Sequence, residues 1–187
     1  MDNLTQYIQT TFGFTDNEVQ KILECFSPKN LKKNDFFLKS GQYCQNVAFV
    51  AKGDFIYFQN VDGEEKICDF AFENDWVTYY KSLLGKIPSD MNIKALQDAE
   101  IYLLDFEKMK ELSNDLPKVL QMRSMMAEQY FTKSAQRAAN FTTLDAKGRY
   151  EALLNEIPHI HQRVPQYNIA SYLGIKPQSL SRIRAQK

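Results

Sequence analysis

The chain has 187 residues, of which 44% are hydrophobic and 25% are charged. This composition is typical of one globular domain or two small ones and excludes a disordered protein. No uninterrupted apolar run approaches the roughly 18 residues that a membrane span needs, and the N-terminus lacks the basic start and apolar block of a secretory signal. Three scattered cysteines fit free thiols in a reducing compartment. We therefore expect a cytoplasmic protein with no membrane partner.

The net charge of zero hides a division of the chain into an acidic and a basic part. Residues 1–117 carry 12 Lys/Arg and 19 Asp/Glu, a net charge of −7, whereas residues 118–187 carry 11 Lys/Arg and 4 Asp/Glu, a net charge of +7. This asymmetry indicates two parts with different partners. The basic part suits a polyanion such as DNA, although solvated lysines and arginines on ordinary helices would give the same count.

The first 104 residues predict helices followed by a β-rich unit. Residues 1–26 are predicted to be helical, with Thr15 and Glu18 as a capping box and Pro28 as the stop. Short runs rich in β-branched and aromatic residues then alternate with turn signals about every ten residues, which is typical of an antiparallel sandwich or barrel. The runs are residues 36–38, 47–51, 55–58, 66–72 and 101–104. Asp62-Gly63 predicts a hairpin, whereas residues 76–84 fit a short helix or an irregular loop.

A long helix is predicted from Pro117 to about Phe141, because this stretch has no glycine and no further proline. Its apolar residues fall on two stripes. The first stripe is Val119, Met122, Met126 and Tyr130, and the second is Leu120, Ala127, Phe131, Ala135 and Ala138. A helix on a single core needs one stripe, so two stripes indicate burial against the chain's own core and against a second subunit. We assign dimerisation to the first stripe; the alternative is one wide face in a monomer. A further helix is predicted at residues 145–156.

The segment QYNIASYLGIKPQSLSRIR, residues 166–184, fits a helix-turn-helix. Such a unit needs a small residue where the two helices cross and a residue that accepts a left-handed backbone in the turn, and Ala170 and Gly174 meet these needs. The inner faces would carry Ile169, Leu173, Ile175, Leu180 and Ile183. The alternative is an ordinary helical hairpin with a solvated outer face.

The outer face of the second helix is polar and basic, as a DNA-reading helix requires. Arginine binds guanine edges through two hydrogen bonds and glutamine binds adenine in the same way, while serine and lysine hold phosphates. The candidate DNA-binding residues are Lys176, Gln178, Ser179, Ser181, Arg182 and Arg184.

These residues carry a resemblance to a known family. The tail IASYLGIKPQSLSRIR closely resembles the helix-turn-helix of the cyclic-AMP receptor protein / fumarate-nitrate regulator (Crp–Fnr) superfamily of bacterial transcription factors. Residues 36–76, with Gly41, Gly53 and Gly63 at their turns, look like that superfamily's cyclic-nucleotide-binding-type β-roll, and the long helix looks like its dimerisation helix. The resemblance runs from about residue 12 to residue 187.

The resemblance implies an α+β fold in three parts: a β-roll sensor domain at residues 1–116, a dimerisation helix at 117–141 and a DNA-binding domain at 142–187. It implies a homodimer whose second helices enter successive major grooves about 34 Å apart. Gln178 and Arg182 would read bases, and Ser179 and Ser181 would contact bases or the backbone. Double-stranded DNA, a second subunit, RNA polymerase and a small-molecule effector are the implied partners.

The sequence departs from the family where cyclic AMP binds. Cyclic-AMP-binding members hold the phosphate with an Arg-Ser pair, but Pro88-Ser89 stands there and no arginine precedes Arg123. Lys81 supplies one charge without the arginine fork. We therefore expect an effector other than cyclic AMP, with Tyr79, Tyr80, Lys81 and Ser82 as candidate contacts, or as plain core residues. The chain also ends at Lys187, before the DNA-contacting wing that many relatives have.

Other chemistries find little support in the residues. An iron–sulfur sensor needs a cysteine cluster, and a cupin-like metalloenzyme needs histidines in its barrel, yet His159 is the first histidine. We expect no metal, no cofactor and no catalytic residues. A sensor or interaction module with a decayed helix-turn-helix stays as the alternative to a regulator.

Overall fold

Two four-stranded antiparallel sheets form the centre of the structure, a computed structural model that describes residues 1–185. One sheet has the strand order β1-β8-β3-β6 and the other has the order β2-β7-β4-β5. The strands are β1 (Phe26–Leu31), β2 (Phe36–Leu38), β3 (Val47–Lys52), β4 (Phe55–Val61), β5 (Glu64–Ala71), β6 (Trp76–Val77), β7 (Asn92–Ala95) and β8 (Ala99–Leu104). The two sheets together are called the roll below.

Helices cover both outer faces of the roll. Those that precede or follow the strands closely are α1 (Asp2–Phe12), α2 (Asp16–Leu23), α3 (Tyr80–Gly85) and α4 (Phe106–Asp115). The long helix is α5 (Lys118–Thr143), and the C-terminal helices are α6 (Ala146–Glu156), α7 (Ile160–Arg163), α8 (Gln166–Tyr172) and α9 (Pro177–Ala185). Within residues 1–185, no helix combines the length and the apolar character that crossing a bilayer demands.

Strand alternation divides the apolar residues into three packed layers. Along β3, Val47 and Phe49 face the layer under α1, α2, α4 and α5, while Ala48 and Val50 face the layer between the two sheets. Along β4, Phe55 and Tyr57 join that middle layer. The intervening Ile56 and Phe58 face a third layer, which β4 and β5 share with the C-terminal helices.

Several sequence predictions are confirmed. Thr15 and Glu18 form the capping box at the start of α2, and Asp62 and Gly63, both with positive φ, join β4 to β5 as a hairpin. The N-terminal helical segment is interrupted at Gly13, where a φ of 67° ends α1.

Three strands escaped the sequence prediction. Pro28 lies inside β1, which an edge strand tolerates because one side of it has no ladder to break. The four residues of β7, between β2 and β4, are too few to show a period. Residues 76–84, predicted as a short helix or an irregular loop, begin with the two-residue strand β6 and continue into the short helix α3.

The assignment of the first stripe of α5 to dimerisation needs correction. Val119, Met122 and Met126 are buried in the first layer of the same chain, and the Tyr130 ring packs on Tyr80 with their centroids 4.8 Å apart. These three buried side chains therefore have no surface to offer a second subunit. The second stripe faces outward, with Leu120 50% and Phe131 73% exposed.

Candidate nucleic-acid interface

Helices α8 and α9 are joined by a tight left-handed turn. Gly174 has a φ of 69°, its N–H donates to the Ser171 carbonyl, and the Ile175 N–H donates to the Ala170 carbonyl, both at 3.0 Å. This pair of hydrogen bonds is a Schellman motif, which satisfies the last carbonyls of α8 and redirects the chain sharply. Ala170 is fully buried. The turn therefore forms as the sequence predicts.

The inner faces of the two helices pack into the third layer. Ile169, Leu173 and Leu180 are buried, and Ile175 and Ile183 are partly buried against the same cluster. This packing fixes which side of α9 faces away from the protein.

The candidate DNA-binding residues lie together on that outer side of α9 and at its start. Ser179 is half-buried and the others are exposed: Lys176, Gln178, Ser181, Arg182 and Arg184. Within residues 1–185, neither Gln178 nor Arg182 is held by a hydrogen bond or an ion pair, so both side chains are available to a ligand.

Gln166, at the start of α8, is a member of this surface that the sequence analysis missed. Its side-chain amide donates to the Ser181 hydroxyl at 2.7 Å, and its carbonyl oxygen accepts from the Arg184 guanidinium at 3.4 Å. Ser181 also donates to the Pro177 carbonyl at 3.2 Å. Ser181 and Arg184 are therefore positioned by the protein itself before any ligand arrives.

The charge of this surface has one sign. Residues 157–187 contain no Asp or Glu, and α9 with the turn before it carries Lys176, Arg182 and Arg184. A positive surface without counter-charges attracts phosphate groups over a Debye length, about 8–10 Å at physiological salt. This stretch without acids is a sequence signal finer than the division at residue 117.

The candidate effector residues are brought only partly together. The Tyr79 hydroxyl donates to one Asp90 oxygen at 2.6 Å, and the Lys81 ammonium binds the other at 2.7 Å. Lys81 and then Tyr79 hold the pKa of Asp90 below its usual value. The Asp90 carboxylate therefore already binds the ammonium and the hydroxyl group that would otherwise meet a phosphate.

The other two candidates point elsewhere. The buried Ser82 hydroxyl accepts from the Cys44 N–H at 2.9 Å and donates to the Ile87 carbonyl at 2.6 Å, so it holds a loop in place. Tyr80 lines a cavity of about 90 Å³ between the roll and α5, together with Tyr130.

That cavity contains a buried ion pair. The Arg137 guanidinium of α5 binds Asp69 of β5, and it lies 3.9 Å from Glu156 of α6. Burial raises the pKa of Asp69 to about 6, although the neighbouring Arg137 acts to lower it. The positive charge of Arg137, which lines the cavity, is therefore already compensated by the Asp69 carboxylate.

Comparison with known proteins agrees with this architecture. Residues 28–115 match the family model described as a cyclic nucleotide-binding domain, a little less than half of the chain. No curated protein matches the chain in sequence.

Solved structures resemble nearly the whole chain. FixK2 from Bradyrhizobium japonicum is 15% identical, with a TM-score of 0.73 over 86% of this chain and 83% of its own. The c-di-GMP responsive global regulator CLP from Xanthomonas campestris is 12% identical, with a TM-score of 0.71 over 92% and 91%. A crp/fnr-family protein from Eubacterium rectale is 16% identical, with a TM-score of 0.69 over 97% and 87%. At these identities the similarity establishes the fold, and it confirms the fold that the sequence resemblance implied.

Proposed function

We propose that this chain, which has the fold of the Crp–Fnr regulators and a cyclic nucleotide-binding-type domain at residues 28–115, is a dimeric, sequence-specific DNA-binding regulator of transcription. The observation that carries the proposal is the outer surface of α9. It is polar and basic, and Gln178 and Arg182 lie on it unengaged within the described residues, above a helix-turn-helix with a Schellman turn. We assign sensing, dimerisation and DNA reading to residues 1–116, 117–141 and 142–187.

In this proposal α9 lies in the major groove. Arg182 donates two hydrogen bonds to a guanine edge, and Gln178 pairs with an adenine edge. Lys176, Ser179, Ser181 and Arg184 contact the backbone or bases nearby, with Gln166 holding two of them. RNA polymerase is the further partner that a regulator of this kind would contact.

The second subunit would pack on the outward stripe of α5. Exposed apolar side chains that continue along one helix face, rather than standing singly, are typical of an interaction surface. Leu120 and Phe131 are such side chains, and Ala127, Ala135 and Ala138 lie between and beyond them. Two copies related by a twofold axis would cover the second stripe of each copy and place their α9 helices on one side of the dimer.

A cyclic nucleotide is not the effector that we propose. The Asp90 carboxylate binds Lys81 and Tyr79, and a cyclic phosphate would have to displace a like charge to reach them. Tyr79, Lys81 and Ser82 are engaged within the chain, so of the four candidate contacts Tyr80, which lines a cavity, is the one that an effector of the roll would meet.

Selection of sites from a random DNA pool by the purified protein tests the proposal. We expect a near-palindromic consensus with half-sites one helical turn apart, and an affinity that falls steeply as salt rises. A protein that retains no sequence from the pool would instead be a sensor or interaction module without DNA-reading activity.

Arg182→Ala is the sharpest single test of the reading helix. The variant should lose discrimination at one base position, at a cost of about 1–3 kcal/mol, while keeping the consensus elsewhere. Lys147→Ala, an exposed charge on α6, is the matched control and should keep every base preference. Selection of an unchanged consensus by the Arg182 variant would remove Arg182 from the proposed base contacts.

A further inference from the structure

We propose that Arg163 is a positioning residue that clamps the helix-turn-helix to the roll of the same chain, and that this clamp sets the half-site spacing a dimer accepts. The spacing part rests on the proposed function, whereas the clamp itself does not. In the roll, the carboxylates of Asp54 and Glu73 form a socket for one guanidinium.

The socket is built by the roll alone. Asp54 follows the turn between β3 and β4, and the Gln97 side-chain amide donates to its carboxylate at 2.8 Å. Glu73 lies just past β5 and accepts from the Gly53 N–H at 2.9 Å. Both carboxylates are therefore oriented by residues of the roll and not by the arginine.

Gly53 makes this corner rigid. Its φ is 118°, which side chains rarely adopt, and a Cβ there would lie 2.5 Å from the Ala99 Cβ. The backbone of the β3–β4 turn is thus pressed against β8 as only glycine allows. A corner packed this closely presents Asp54 at a fixed position.

Arg163 enters the socket from the C-terminal helices. Its guanidinium binds both Asp54 and Glu73, and its centre lies 4.5 Å from the centroid of the Phe72 ring. Both carboxylates are bound by the same nitrogen, Nη2, and the position of the guanidinium over the ring adds a third contact that restricts the side chain. Arg163 ends α7, two residues before Pro165, the N-cap of α8, so its restriction is passed directly to α8.

The Arg163 contact also stabilises the roll, because it compensates the charge of two carboxylates there. Asp54 is buried, and the nearby Glu73 carries the same charge. Burial raises the pKa of Asp54 and the Arg163 guanidinium lowers it, so without the arginine the socket would hold poorly solvated negative charge. The roll therefore needs Arg163 as much as the helix-turn-helix needs the socket.

A second attachment lies at the opposite end of β5. The Ser171 hydroxyl of α8 accepts from the Ile67 N–H and donates to the Glu65 carbonyl, both at 3.1 Å. From Ile67 to Glu73 the chain covers roughly 20 Å if extended. Apolar packing seats α8 on β5, and the polar attachments at the two ends of the strand add a directional restraint to that packing.

The covalent link to α5 does not supply this restraint. Helix α5 ends at Thr143 and α6 begins at Ala146, with the extended residue Leu144 between them. The link itself permits many angles, and contacts across it come from the Phe141 ring, which lies under the Arg149 guanidinium and against the Tyr172 ring, and from Arg137 near Glu156. In a dimer built on α5, the separation of the two α9 helices would then depend on the clamp together with these contacts and the shared apolar layer.

The clamp is tested by a distance measurement that needs no DNA. Spin labels are attached at Glu100→Cys on the roll and Gln178→Cys on α9, both exposed positions, in a Cys68→Ser background that retains the buried Cys25 and Cys44. Labelled chains are diluted with unlabelled ones so that only distances within one chain are recorded. We expect a single narrow distance distribution for the wild type and a broad one for Arg163→Met, with Lys32→Met, which removes an exposed ion pair, unchanged.

Two further variants separate positioning from folding. Arg163→Lys keeps the charge but loses the planar group over the Phe72 ring, and it should broaden the distribution in part. The neutral triple variant Arg163→Met, Asp54→Asn, Glu73→Gln removes the unpaired charge, so it should fold stably and still show the broad distribution. A narrow, unshifted distribution in the folded triple variant would overturn the clamp.

Half-site spacing is the functional readout. We expect the wild type to bind its selected site about tenfold more tightly than a site with one base pair inserted between the half-sites, and the triple variant to lose most of this preference while binding a single half-site equally well. A broad distance distribution with unchanged spacing preference would overturn the link to DNA and keep the clamp. A wild type that binds no specific DNA but shows the narrow distribution would overturn the proposed function alone.

Discussion

At Asp69, burial and a neighbouring charge act on the pKa of one carboxylate in opposite directions. It lies in the middle of β5, where it binds Arg137 of the long helix. Burial raises its pKa to about 6 from a reference of 3.8. Because the folded state holds this proton more tightly than the unfolded state, the stabilising contribution is complete below about pH 4 and is lost as the pH rises through 6.

Asp69→Asn should therefore change the pH profile of stability in a defined direction. We expect the wild type to lose more melting temperature than the variant between pH 4.5 and pH 7. Thermal unfolding followed by circular dichroism at fixed protein concentration measures this difference. Asp98→Asn is the control of opposite sign, because Lys32 lowers the pKa of Asp98 and its contribution is lost as the pH falls. Parallel profiles for wild type and Asp69→Asn would show that the carboxylate titrates alike in both states.

At the scale of elements, the long helix α5 has two apolar faces with different surroundings. Its two apolar stripes were visible in the sequence, and the structure gives the inner one, which includes Val119 and Met126, to the chain's own core. The outer one remains in water, with Phe131 its most exposed large side chain. The same helix therefore closes the roll and offers the surface that we propose for dimerisation.

Phe131→Glu tests that surface. A buried charge at the centre of a helix pair should weaken the dimer by about 30-fold or more, as the loss of an interface hot spot does. Analytical ultracentrifugation measures the dissociation constant. Thr132→Glu adds the same charge on a neighbouring exposed position off the stripe and should keep the dimer. Equal dissociation constants for the two variants would place the subunit contact on another face.

At the scale of the whole molecule, the roll and the helix-turn-helix share one packed layer. Ile56 and Phe58 of β4 contact the cluster that contains Ile169 and Leu180. Two halves that bury each other's apolar residues are expected to unfold together. We therefore expect the acidic and basic parts of the sequence to fold as one unit.

Ile169→Ala should reveal this coupling through a distant reporter. The fully buried Ile169 lies in the helix-turn-helix, and its truncation should cost about 2–5 kcal/mol. The single tryptophan, Trp76, lies in the roll. We expect the urea midpoint followed by Trp76 fluorescence to fall as far as the midpoint followed by circular dichroism, with the exposed Ile87→Ala as control. A tryptophan midpoint that stays in place would mean that the halves unfold separately.

The sequence by itself determined the elements whose signals are local. The capping box at Thr15, the hairpin at Asp62-Gly63, the long helix and the Gly174 turn depend on residues a few positions apart, so they could be predicted from the order of side chains. The exposed polar side of α9 followed from the inner face of a short helix in the same way. A strand of four residues such as β7 has no such signal, because only its neighbours in the sheet hold it.

Tertiary structure alone decided how these elements meet. The run of apolar residues at 55–58 predicted a buried strand, but only the packing shows that its second face is covered by the C-terminal helices. The sequence shows two apolar stripes on α5, but only the fold shows that the first one packs on the roll of the same chain. The pairings of Arg163 with Asp54 and of Arg137 with Asp69 join residues 109 and 68 positions apart. Contacts at such separations depend on the fold that brings them together, and no local pattern of residues encodes them.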